Sequence, residues 1–167
     1  MSRLVYPDSL VLNVLKTCRT IAMVGASASW NRPSYFAMKY LQAKGYRVIP
    51  VNPQSAKAGE SILGEKAYAS VTEIPGSIDL VDIFRRSDAV GPVVDEAIKL
   101  APEKHIRVVW MQLGVINEEA ALRAEKAGLT VIMDRCIKIE FGRFSGELSW
   151  GGIDSGVITS RRRRLIA

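Results

Sequence analysis

Histidine is almost missing from this sequence, cysteine is scarce, and no apolar run comes near the length of a membrane span. The single histidine, His105, leaves Ser-His-Asp and Cys-His catalysis without a base to build on. It precedes an apolar run, at what reads as the amino end of a strand, so it is expected to be a surface or loop residue. The two cysteines, Cys18 and Cys136, have no metal-ligand spacing and are too few for a disulfide framework. A reducing cytoplasm is the expected compartment. The apolar stretches fall short of the ~18 residues of a membrane helix. The opening MSRLVYPDSL shows no apolar region before a cleavage site, so no secretion signal is expected.

What is present describes a globular chain. At 48% hydrophobic and 24% charged residues it has the balance of an ordinary soluble globular protein. Its 167 residues suffice for one domain with a substantial core. The net charge is +6, but four arginines stand together at residues 161–164, so the body is only mildly basic. A nucleic-acid-binding protein spreads its cations over a face and interleaves stacking aromatics. No aromatic lies beside the four arginines, and a solvated tail is the simpler reading.

Apolar runs alternate with helical patterns. Leu10, Val11, Val14 and Leu15 recur at helical spacing after Pro7-Asp8. Strands are expected at 20–24, 47–51, 78–84, 106–111 and 130–133. Pro50 limits pairing near the end of the second strand. Helices are expected from Pro33-Ser34 to Gly45, from Asp88 to residue 101, and over 117–128 with Asn117 as cap. Residues 52–64 read as a polar loop, and 71–75 as a short helical turn. Five apolar strands alternating with helices predict an α/β fold, a doubly wound, Rossmann-like parallel sheet covered on both faces in a single domain. The expected strand order is 3-2-1-4-5. Residues 1–18 form an N-terminal helical segment, 19–141 the α/β domain, and 142–167 a Gly-rich and basic tail.

In such a sheet ligands bind beyond the carboxyl ends of the strands. That selects 25–33, 52–57, 84–88, 112–116 and 134–138. Gly25 permits close backbone approach, Ser27 and Ser29 offer hydroxyls, and Arg32 offers a fork suited to phosphate. The following helix adds free N–H groups. A phosphate cradle is chemically reasonable here, although a purely structural turn reads the same way. A dinucleotide-binding oxidoreductase fits less well. The second and third glycines of G-x-G-x-x-G are absent, bulky Trp30 stands where the third would be, and the second strand ends in Asn52-Pro53 instead of an acid. Trp110 within its strand is expected to pack in the core. Trp30 and Trp150, in loop-like segments, could cover a ligand or a partner. Asp79 is expected to cap backbone near the start of its strand, and no carboxylate pair with a defined separation can be deduced.

The segments VGAS, RPSYFAMKYLQAKGYRVIPVNP, IDLVDIF, VVWMQLGVINEEA and GLTVIMDRC, taken in order across residues 19–141, resemble the stand-alone CoA-binding domain proteins. Those are similar to the amino-terminal domain of the succinyl-CoA synthetase alpha subunit. The resemblance implies a Rossmann-like fold that holds coenzyme A without hydride chemistry. Carried over by position, Gly25, Ala26 and Ser27 with Arg32 and Ser34 would hold the pyrophosphate. Asn52 and Pro53, with Lys57 nearby, would lie along the ribose and 3′-phosphate. Phe84 and Arg85 would flank the adenosine, and Gln112, Gly114 and Val115 would line the pantetheine side. Family members often place a lysine directly after the Asn-Pro pair. Here that residue is Gln54, with Lys57 three positions on.

Cys136, after the fifth strand, falls at the same edge. It reads either as a small buried hydrophobe or as a thiol near the CoA sulfhydryl, able to form a mixed disulfide. The expected partner is CoA or an acyl-CoA, held by a carrier, sensor or accessory protein with no catalytic constellation. The grasp domain and phosphorylated histidine of a CoA ligase are absent from the sequence. An unknown protein partner and a homodimer paired through the tail remain open, whereas membrane and nucleic acid are disfavoured. Two alternatives stand beside this reading: an NAD(P)-dependent oxidoreductase, and a nucleotide-controlled regulator that binds nucleic acid through the basic tail.

Overall fold

Each of the five main apolar runs becomes a strand of one parallel sheet. The computed structural model describes residues 4–146. After helix α1 (Asp8–Thr17) the chain forms β1 (Thr20–Val24), α2 (Pro33–Ala43) and β2 (Arg47–Val51). A short helix α3 (Pro53–Lys57) and a small hairpin of β3 (Ser61–Ile62) and β4 (Glu65–Lys66) follow. Then come β5 (Leu80–Ile83), α4 (Val90–Lys104), β6 (Val108–Met111), α5 (Glu118–Lys126), β7 (Thr130–Ile132) and α6 (Ile137–Ser145). The tail features read from the sequence, Trp150 and the arginines at 161–164, lie outside the described residues. Among the described residues no helix is long and apolar enough to cross a membrane.

The doubly wound, Rossmann-like α/β class holds: helices cover both faces of a five-stranded parallel sheet. Val90, Val94 and Ala97 of α4 and Ala120, Ala121 and Ala124 of α5 pack on one face. Val14 and Leu15 of α1, Met38 and Leu41 of α2, and Ile137 and Phe141 of α6 pack on the other. Strand residues therefore bury side chains in both directions, which is why the strands read as continuous apolar runs instead of alternating ones. Trp110 is in this core, as expected, with its indole N–H on the Arg135 carbonyl at 2.8 Å. Asp79 also takes its expected place: its Oδ2 accepts from the backbone N–H of Arg19 at 2.8 Å and of Thr20 at 3.0 Å.

The strand order differs from the expected one. The sheet runs β2-β1-β5-β6-β7, which places the third sheet strand beside the first and not outside the second. The cause is Pro50. Its carbonyl points away from β1 and accepts from Tyr68 N–H at 3.0 Å, so its missing N–H falls on the outer edge of β2. A further strand there would lose a ladder hydrogen bond, and proline is confined to such edges. Two helix starts also differ. Asp88 does not cap α4: it pairs with Arg86 at 2.8 Å within a short 3-10 turn, Ser87–Ala89, that precedes the helix. The polar loop expected at 52–64 contains α3, capped by Asn52 with Pro53 at the first helical position.

With β1 and β5 adjacent, the chain turns in opposite directions from the two strands, and the switch point lies between Gly25 and Phe84. Gly25 has φ 86°, and a Cβ there would stand 2.1 Å from the Phe84 carbonyl oxygen. Its glycine is demanded by this neighbour as much as by any ligand. Replacing Gly25 with alanine should therefore lower the unfolding free energy by ~3 kcal/mol or more, through left-handed strain plus the backbone clash. Denaturant unfolding measures this; a loss below ~1 kcal/mol would show that the strands part without penalty.

Candidate functional site

Beyond the carboxyl ends of β1, β2, β5 and β6 the loops enclose an open cleft of about 960 Å³. Its first wall is the segment after β1. Gly25 N–H makes the last link to β2, donating to the Val51 carbonyl at 3.0 Å, and its φ of 86° then turns the chain out of the sheet. Ser27 Oγ accepts from Ser29 N–H at 3.1 Å and sets the next bend. Arg32 then caps α2 through backbone geometry alone, with no side-chain cap and no acid in the first turn, so the positive end of the helix is not neutralised from within. Pro33 opens the helix, and Ser34 is buried at its second position.

The second wall follows β2. Asn52 Oδ1 accepts from the N–H groups of Gln54 at 2.9 Å and Ser55 at 3.2 Å. Its Nδ2 donates to the Ala26 carbonyl at 2.8 Å. One side chain thus starts α3 and ties it to the loop after β1. Phe84, Arg85 and Arg86 follow β5, and Gln112, Leu113 and Val115 follow β6. Arg85 is exposed and has no ion pair among the described residues. The third wall is the start of α6: Cys136, Lys138 and Ile139.

Of the residues expected at the site, the cleft gathers Gly25, Ala26, Ser27, Arg32, Ser34 and Asn52. It also gathers Pro53, Phe84, Arg85, Gln112, Val115 and Cys136. Lys57 and Gly114 lie off it. Lys57 sits in the last turn of α3, where the helix carries it into solvent. Gly114, at φ 80°, turns its N–H onto Asp134 Oδ1 at 2.7 Å and joins the loop to β7 instead. Sequence reasoning passed over Phe36, Leu113 and Ile139, which also line the cleft. An apolar residue at helical or strand spacing carries no signal that separates a rim position from a core one. Trp30 is 73% exposed and is not among the lining residues.

Beneath the cleft floor lies Asp82, fully buried on β5 on the face it shares with Met23 and Trp110. Its Oδ1 accepts from Gln112 Nε2 at 2.7 Å, and its Oδ2 has no hydrogen-bond partner among the described residues. Burial pushes this carboxyl up to about 7, against the opposing hydrogen bonds from Gln112 and the Ile83 backbone. Cys136 caps α6 and is half-buried; burial raises its thiol, only partly offset by the N–H groups of Ile139 and Lys138. Cys18 is buried on the opposite side of the ligand edge, beneath α1.

The fold and site together define a doubly wound α/β protein with an arginine-lined cleft at its switch point. The family described as CoA binding domain matches residues 19–142, and the chain belongs to it. The chain is 41% identical over 129 residues to YneT, an uncharacterized protein of Bacillus subtilis, covering 77% of this chain and 90% of that one. It is 31% identical to the alpha subunit of acetate–CoA ligase [ADP-forming] II of Pyrococcus furiosus over 72% of this chain. That match spans only 27% of the ligase subunit. Among solved structures, a hypothetical protein of Pyrococcus horikoshii OT3 superposes with a TM-score of 0.75 at 38% identity, over 83% of this chain and 92% of that one. The resemblance carried by the quoted segments is thereby borne out.

Two measurements probe the buried groups. Asp82 binds a proton in the folded state up to about pH 7, whereas the unfolded group releases it near 3.8. Its contribution to stability is therefore complete at low pH and is lost as the pH rises toward 7. Asp82→Asn should flatten that decline and exceed the wild type above pH 7 by roughly 1–3 kcal/mol, read by denaturant unfolding from pH 4 to 8. Equal slopes would mean that Asp82 titrates normally. Iodoacetamide at pH 8 should label Cys136 more slowly than free cysteine and leave native Cys18 unlabelled, because the thiolate is the reactive form. Labelling of Cys136 at the free-cysteine rate would contradict its raised pKa.

Proposed function

We propose that the protein binds coenzyme A or an acyl-CoA in this cleft, as a non-catalytic carrier, sensor or accessory protein. The supporting observation is where the cations fall. Arg32 comes from the loop after β1 and Arg85 and Arg86 from the loop after β5, yet all three line one cleft at the β1/β5 switch point, beside the start of α2, which no side chain caps. Ordered backbone N–H groups and arginine forks are the chemistry that a pyrophosphate and a 3′-phosphate require. On this reading Gly25, Ala26, Ser27, Arg32 and Ser34 hold the pyrophosphate. Pro53 lies along the ribose, Asn52 orders that wall, and Phe84 and Arg85 flank the adenosine. Gln112 and Val115 accompany the pantetheine arm, with Cys136 near its end. Residues 19–141 are the binding domain, in a cytoplasmic protein that presents its ligand to a protein partner.

An NAD(P)-dependent reaction is a weaker reading. A dinucleotide site wants an acid at the end of β2 for the ribose hydroxyls. Asn52 stands there, with both ends of its amide engaged by Ala26, Gln54 and Ser55. The sole histidine, His105, ends α4 at the opposite edge of the sheet and is exposed.

A thermal-shift panel of CoA, acetyl-CoA, NAD, NADP and ATP separates the readings. Ligand at a hundredfold its Kd adds about 2.7 kcal/mol of stability, and CoA and acetyl-CoA should shift the transition while NAD does not. Arg32→Ala should weaken CoA by roughly 10- to 100-fold, the worth of one charge-assisted contact. Phosphate-free pantetheine should be unaffected. A shift with NAD but none with CoA would overturn the proposal.

A further inference from the structure

Three large apolar side chains are left in water around one mouth. Phe36 is 48% exposed, Leu113 65% and Ile139 47%. They come from α2, the loop after β6 and α6, three elements far apart in sequence, and all three line the cleft. Val115 and Cys136 add apolar surface to the same end. Of the other large exposed apolar residues, Val5, Trp30, Ile116 and Leu122, none is among those that line the cleft, and single exposed apolar residues are ordinary for a protein surface. Convergence of three on one cleft is not.

The arginines and two of the three apolar side chains come from loops after different strands. The sheet order β2-β1-β5-β6-β7 puts the loops carrying Arg32, Arg85 and Arg86 near its middle. Leu113 follows β6 and Ile139 follows β7, toward the far edge. Phe36, one turn into α2 from Arg32, borders the cationic part of the cleft. Lys138 lies at the apolar end but holds its ammonium 5.6 Å from the centre of the Tyr40 ring. A purely hydrophilic occupant would match the arginines and leave the three apolar chains wet. At about 960 Å³ the cleft is at the upper end of the range for small-molecule sites, with room for more than a nucleotide.

From this we infer that the ligand is an acyl-CoA with an aliphatic acyl chain, whose anionic nucleotide meets the arginines and whose hydrocarbon tail lies against Phe36, Leu113 and Ile139. The inference rests on the CoA reading above and narrows it. The tail takes water-exposed carbon off the protein as well as burying its own, so affinity grows with chain length. A fully buried methylene strengthens binding roughly fourfold, and one lying on an open rim about twofold.

The test is calorimetric titration of the full chain with CoA, butyryl-CoA and octanoyl-CoA below their micelle concentrations. The expected result is a rise in affinity of at least ~10-fold from butyryl to octanoyl. The double variant Leu113→Ser/Ile139→Ser should bring the octanoyl-to-butyryl ratio close to one. Leu122→Ser, an exposed leucine on α5 away from the cleft, should keep it. Binding of CoA with no dependence on chain length overturns this inference and leaves the CoA reading intact. A gradient that survives the double variant, or vanishes with Leu122→Ser, overturns it by placing the chain elsewhere. No binding of any of the three overturns both readings.

Discussion

The approach of β5 to β1 is the constraint on which the site depends. Phe84 N–H donates to the Val24 carbonyl at 2.8 Å, and the next residue of β1's chain, Gly25, has no room for even one carbon beside Phe84. That contact closes the ladder at its upper end. The two chains then leave the sheet in opposite directions, one into the Ser27 turn and α2, the other toward Arg85. A crevice between diverging loops follows from strand order alone. What the sequence adds is its lining: arginine on both sides and little acid.

Asp82 and Gln112 form the polar floor of an otherwise apolar interior. A carboxyl between Met23 and Trp110 is costly unless it is neutral or hydrogen-bonded, and Gln112 supplies one bond at 2.7 Å. The pairing acts in both directions. Gln112 is itself almost fully buried, and the carboxyl fixes its amide so that the nitrogen faces down and the oxygen is the group left for the cleft side. An apolar residue at 82 would remove the charge problem and strand the Gln112 donor, so the floor would lose the element that orients it.

Most of the fold was legible because parallel strands buried on both faces leave compact apolar runs, and because Gly45 and Gly128 end their helices at φ 96° and 88°. The edge position of β2 is legible as well: Pro50 limits pairing near the end of the strand, and its consequence is a strand at the border of the sheet. Asn52-Pro53 likewise spells a cap followed by proline at the first helical position, a start signal outweighed by the polar residues after it. The helix that this pair starts carries Lys57, expected at the cleft from the family resemblance, into solvent. Helix α6 was hidden by Gly142 and by the Gly-rich sequence that follows, although Ile137, Phe141 and Ser145 share one buried face at spacing of four. Phe36 and Ile139 were not legible at all. Their spacing matches that of buried neighbours, and only the assembled fold tells which apolar side chains are covered.

Asn52 has a further consequence for how a ligand arrives. Its amide anchors the loop after β1 at Ala26, and the same amide holds the first turn of α3. Two walls of the crevice are thus braced against each other. Association then demands little fresh ordering of backbone, and more of the contact energy survives as affinity.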